Sequence, residues 1–205
     1  MKPILTCAPH WAALLSLILL VGCGSVSDLQ PTTPGTSADL RRYQKVVVHP
    51  FTNTVQVSQK DPAEADRARA QLEATTLKFN TQVAEAIRLS GAFAEVIRGE
   101  TAVPDSMVID GVITRAVEGS KAARLWVGFG AGNAYFDATL QVRDGTTREL
   151  LATLIVDRNS WGGGGLLAAE QTLDSFMLEA AKKVANDLAV AKMQGRIQPP
   201  TSPRK

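Results

Sequence analysis

Ala134-Tyr135-Phe136-Asp137-Ala138-Thr139-Leu140-Gln141-Val142-Arg143 alternates apolar and polar residues without a break. Successive side chains of a strand point to opposite faces. Ala134, Phe136, Ala138, Leu140 and Val142 therefore line one face, and Tyr135, Asp137, Thr139, Gln141 and Arg143 the other. One dry and one wet face is what an antiparallel sheet covered on a single side requires. Asp144-Gly145 follows as a turn, and Leu150 to Val156 returns as the partner strand of a hairpin. Upstream, Met107, Ile109, Ile113 and Val117 alternate with more polar neighbours and predict a strand leading into the first.

Outward from this sheet the period changes. Asp61-Pro62-Ala63-Glu64 reads as a helix start, with Asp as the cap, Pro in the first turn and Glu three residues beyond the cap. Ala68, Leu72, Thr76, Phe79, Val83 and Ile87 then recur every three or four residues as one core-facing stripe. Ser90-Gly91 stops the helix, because glycine adopts the left-handed conformation without strain. Val46-Val47-Val48, ended by Pro50 and Phe51, is a short buried strand, and Phe93 to Ile97 is another. A second amphipathic helix runs from about Leu173 to Ala191, burying Leu173, Phe176 or Met177, Ala180, Val184 and Leu188. The order β-α-β-β-β-β-α predicts an α+β fold: a two-layer sandwich whose mainly antiparallel sheet of about five strands carries two helices on one face.

The N-terminus carries a different kind of signal. Lys2 precedes an apolar run from Trp11 to Val21, the charged and apolar regions of an export signal. That run is about half the ~20 residues a membrane-spanning helix needs. Leu20-Val21-Gly22-Cys23 resembles the bacterial lipobox, which implies cleavage before Cys23 and lipidation of its sulfur, since the thiolate is the nucleophile that accepts the lipid. Cys7 lies within the signal, so Cys23 has no disulfide partner in the mature chain. Gly24 and Ser25 follow, without the Asp that commonly retains such proteins in the inner membrane; the expected location is the outer membrane, facing the periplasm.

These signals divide the chain into a signal peptide over 1–22, a lipidated cysteine with a flexible tether over 23–40, a periplasmic domain over 41–193 and a disordered tail over 194–205. The tether is Ser-, Thr- and Pro-rich, and ~16 flexible residues would reach roughly 20–25 Å. Removing 22 of the 205 residues leaves 183, enough for one domain with a real core. Net charge is +2, mixed along the chain, with no basic stripe of the kind that binds nucleic acid.

Catalytic candidates are few. His49 is the one histidine after the signal, so a Ser-His-Asp arrangement could be built around it alone; a strand histidine satisfied by local hydrogen bonds is the plainer reading. Asp105, Asp110, Asp137, Asp144 and Asp157 fall on or near strands and could supply a carboxylate pair. The scarcity of His and Cys speaks against a transition-metal site, and no cofactor is expected. Gly128-Phe129-Gly130-Ala131-Gly132 is followed by a strand pattern rather than a helix, so it reads as a bend or a close backbone contact and not a phosphate loop. Trp161-Gly162-Gly163-Gly164-Gly165 is a second glycine run. Trp126, Phe129 and Trp161 lie in or beside these segments and are the candidates for contact with a protein partner.

The lipobox, the Val46–Phe51 strand, the passage Gly91-Ala92-Phe93-Ala94-Glu95-Val96-Ile97, Arg124 to Gly132 and the Asp144-Gly145 turn together resemble the bacterial lipoprotein family catalogued as domain of unknown function 4410. More distantly, the strand-helix-strand beginning is similar to the TolB N-terminal, LpoB and CsgG periplasmic domains. The resemblance implies no catalytic residues. The expectation is a non-enzymatic, lipid-anchored envelope protein that binds or assembles another component, with a CsgG-like oligomeric export subunit as the alternative and a carboxylate enzyme as the third.

Overall fold

The computed structural model describes residues 25–32, 39–101, 103–119, 132–159 and 171–197. Among the described residues, eight strands form one sheet: β1 (Ser25–Val26), β2 (Gln30–Pro31), β3 (Lys45–Val48), β4 (Thr52–Asn53), β5 (Glu95–Arg98), β6 (Ser106–Val117), β7 (Tyr135–Asp144) and β8 (Leu150–Asn159). The α-helices described are α1 (Pro62–Leu89) and α2 (Leu173–Gln194), with a 3-10 turn at Leu40–Arg42. The strand order is β1-β8-β7-β6-β3-β5, with β2 also on β8 and β4 on β6.

The predicted α+β class holds, and the sheet is mixed. β6, β7 and β8 form an antiparallel meander, whereas β3 runs parallel to both β5 and β6. The parallel pair β3–β5 follows from the long α1 between them, since a parallel connection needs a crossover. The extra strands beyond the expected five are β1, β2 and β4, each two residues long and too short to carry a periodic signal.

Local chemistry sets the helix ends. The Asp61 carboxylate accepts from the Glu64 amide at 3.0 Å, and Gly91 leaves α1 at φ +65°. α2 opens on a reciprocal pair: Thr172 accepts from the Ser175 amide while Ser175 Oγ accepts from the Thr172 amide. Both helices lie on the face lined by Val46, Val48, Met107, Ile109, Phe136, Leu140, Leu154 and Val156, which are buried in a common core. Phe79 of α1 is its centre, with ring centroids 5.5 Å from Phe51 and 4.8 Å from Phe136. Gly111 on β6 is required here, because a Cβ would lie 2.6 Å from the Phe51 ring.

Two expected boundaries are corrected. Residues 25–32 are not a free tether: they run antiparallel along β8, with Ser25 opposite Asp157 and Gln30 opposite Thr153. Leu29 between them is 4% exposed and belongs to the core. Polar composition hid this, because two apolar residues, Val26 and Leu29, and main-chain hydrogen bonds suffice to dock the segment on a free edge. At the other end Gly195 caps α2 at φ +69° and Ile197 is 3% exposed, so the ordered domain extends past 193.

Candidate functional site

One end of the sheet collects the features left over from folding. β6 ends there at Val117, β7 begins at Tyr135, β8 ends at Asn159 and α2 begins at Leu173. Register brings them level: Val117 faces Tyr135, and Tyr135 faces Asn159. The segments 120–131 and 160–170 enter and leave at this end; Trp126, Phe129 and Trp161 belong to them and lie outside the described residues. So do Cys23 and Gly162 to Gly165.

The neck below segment 120–131 is closed backbone to backbone. Gly119 and Gly132 sit at φ +71° and +70°, and a Cβ on Gly119 would lie 2.2 Å from the Gly132 carbonyl oxygen. The close backbone contact expected of the 128–132 glycines is thus present at Gly132. Beside the neck lies a groove of about 590 Å³, lined by Val55, Val57, Leu72, Val117 and Leu173 and edged by Glu118. Asp174, also on its rim, is held by Lys78 at 2.6 Å.

On the wet face at the same end, Arg115, Asp137 and Asp157 stand opposite one another across β6, β7 and β8. Burial raises the Asp137 carboxyl above its ordinary value, the facing Asp157 charge raises it further, and Arg115 opposes both. Arg115 also covers the Tyr135 ring at 3.6 Å.

Among the candidate catalytic residues, the structure brings Asp137 opposite Asp157 across β7 and β8, and His49 beside Asp110. His49 Nδ1 meets Asp110 Oδ1 at 2.8 Å, and Arg143 Nε lies 3.4 Å from the other carboxylate oxygen. The ring nitrogen that would take a nucleophile's proton, His49 Nε2, is buried and makes no hydrogen bond. Asp144 sits at the opposite end of the sheet and is consumed by structure. It accepts from Tyr43 Oη and Arg42 Nη2, each at 2.6 Å, and from the Thr146 and Thr147 amides, each at 2.7 Å. Burial acts to raise the Asp144 carboxyl, yet these donors outweigh it and hold the group at about 2. Burial and the bond to Asp144 push Tyr43 up to about 12. Asp105 occupies a turn at φ +58°. Among the described residues, no group of three His, Cys, Asp or Glu could hold a metal ion, and no helix is long and apolar enough to cross a membrane.

What sequence reading missed is the clasp on residues 25–32. The Leu29 amide donates to Asp187 Oδ2 at 3.2 Å, and Lys183 bridges Asp28 at 2.8 Å and Asp187 at 2.7 Å. The signal was Val26 and Leu29, two branched apolar residues in a polar stretch.

Residues 46–164 match the family model described as Domain of unknown function (DUF4410). The chain belongs to this family. The DUF4410 match spans β3 through β8 and the neck at Gly119 and Gly132, and stops short of α2. No curated protein matches the sequence. Among solved structures, the PelC dodecamer from Paraburkholderia phytofirmans is similar at 16% identity and a TM-score of 0.48, over 80% of this chain and 96% of that one. A Xanthomonas campestris protein of the DUF330 family model is similar at 12% identity and a TM-score of 0.45, over 82% of this chain and 95% of that one.

Proposed function

We propose that this protein is a lipid-anchored, non-enzymatic lipoprotein of the outer membrane, facing the periplasm, that binds or assembles with another envelope component. The observation that carries the reading is Cys23 at the end of Leu20-Val21-Gly22-Cys23, two residues before the domain's first strand. The engagement of several candidate catalytic groups supports it: Asp144 and Asp110 serve as structural acceptors, and the His49 ring meets Asp110 through Nδ1. Trp126, Phe129 and Trp161 are assigned to contact with that component.

The anchor is tested by fractionating cells that express the wild type or Cys23→Ala and by measuring the mass of the mature N-terminus. The wild type is expected in the outer-membrane fraction with an acylated Cys23, and Cys23→Ala as soluble or uncleaved protein. A mature-sized Cys23→Ala chain that still partitions with membrane rules the anchor out. For the binding role, a pull-down from crosslinked envelopes should lose its specific product when Trp126 and Trp161 are both changed to Ala. Recovery of no specific product from the wild type counts against binding.

A further inference from the structure

The mature chain has almost no slack between its first residue and its fold. Ser25 and Val26 pair with Asp157 and Val156, and the Ser27 amide donates to the Ile155 carbonyl at 2.8 Å. Ser27 Oγ accepts in return from the Ile155 amide at 2.8 Å. Leu29 then closes into the core, and Lys183 grips Asp28. A chain clasped this way has no free tether beyond Cys23 and Gly24. Two residues reach at most ~7 Å, against the roughly 20–25 Å of a free 16-residue segment.

The direction is also set. Antiparallel pairing puts Ser25 level with Asp157, so the chain toward Cys23 leaves the sheet at the end where β8 finishes at Asn159. This is the end bearing the neck and the groove lined in part by Val55, Val57 and Val117. Val117 is 42% exposed there, with half-buried Val55 and Val57 beside it. The Asp144–Gly145 turn lies ten residues of β7 away, roughly 30 Å at ~3.3 Å per residue.

We infer that the lipidated protein is seated on the bilayer with this end against the headgroups, its strands standing off the membrane and the Asp144–Gly145 turn outermost. The inference rests on the proposed lipidation of Cys23 and specifies which surface that lipid presses to the membrane. Val117, Val55 and Val57 then meet the headgroup boundary instead of bulk water.

The test uses the full-length lipidated protein in phosphatidylethanolamine–phosphatidylglycerol vesicles that contain a lipid with a nitroxide on its headgroup. Lipidation consumes the sulfur of Cys23, so a fluorophore attaches only to an introduced cysteine, Val117→Cys in one sample and Thr146→Cys in another. Quenching is expected to be several-fold stronger at 117 than at 146. Inserting a Gly/Ser linker of ~16 residues between Gly24 and Ser25, with a reach of roughly 20–25 Å, should erase the difference. Equal quenching in the native-length chain, or stronger quenching at 146, with the lipid mass present on Cys23, overturns the seating and leaves the anchor standing. Absence of lipid mass on Cys23 overturns both.

Discussion

Asp144 follows an alternating strand and precedes a glycine, so sequence reading assigns it a turn and counts it among the candidate carboxylates. In the folded chain its two oxygens take four donors, from Tyr43, Arg42 and the Thr146 and Thr147 amides. They tie the β7–β8 turn to the segment that enters β3. The partners Arg42 and Tyr43 lie about a hundred positions upstream, and no local pattern announces such a pair. The consequence is a definite pH dependence. The folded value of about 2 lies below the ordinary 3.8. The stabilisation is therefore complete above the unfolded value and is lost as pH falls through the folded one. About two units correspond to an order of 2 kcal/mol. Asp144→Asn should lower the urea midpoint at pH 7 and flatten its decline between pH 3.8 and about 2 relative to the wild type. Identical acid profiles for the two proteins would refute this account.

At the scale of elements, the best-read parts are those whose period persists. α1 begins at the predicted cap and ends at the predicted glycine, and β7 and β8 form the predicted hairpin. The sheet edge behaves differently. β8 is ten residues long, and among the described residues its outer side is covered by β1 and β2, two residues each, with Ser27 and Thr32 bonding beside them. A long strand with an open edge invites pairing with another chain. A version of the protein starting at residue 33 is therefore expected to melt at lower temperature and to aggregate, because it loses both the Leu29 packing and the edge cover. Loss of a buried leucine side chain alone costs about 2–5 kcal/mol. Light scattering during a thermal ramp, compared with a version starting at residue 24, measures both effects. Equal melting and equal scattering would mean that residues 24–32 contribute nothing to the fold.

Across the whole molecule, the family match and the folding unit differ in extent. The match ends at residue 164, yet α2 beyond it buries Leu173, Phe176, Met177, Ala180, Ala181, Val184, Ala185, Leu188 and Ala191. Without α2, the β7–β8 part of the apolar sheet face loses its cover, and the core loses half of its helical layer. A chain ending at residue 172 is expected to show no cooperative thermal transition by circular dichroism; a sharp transition would make β3 to β8 with α1 a sufficient core. The same helix also supplies Lys183 and Asp187, the clasp on Asp28 and Leu29. α2 thus joins the folding of the domain to the place where the chain meets its proposed anchor.

By itself the sequence determined the α+β class, α1, α2 and the β7–β8 hairpin. Each is written in residues close together in the chain, as a period, a cap or a turn. Only the tertiary structure decided that β3 runs parallel to β5 and β6, that Tyr43 and Arg42 close on Asp144, and that residues 25–32 dock along β8. Those outcomes depend on main-chain hydrogen bonds and single contacts between distant positions, which leave no periodic trace in the chain. The polar composition of residues 24–39 matches that of a free linker. Residues 25–32 became part of the fold because β8 had an unpaired edge and α2 brought Asp187 within reach of the Leu29 amide.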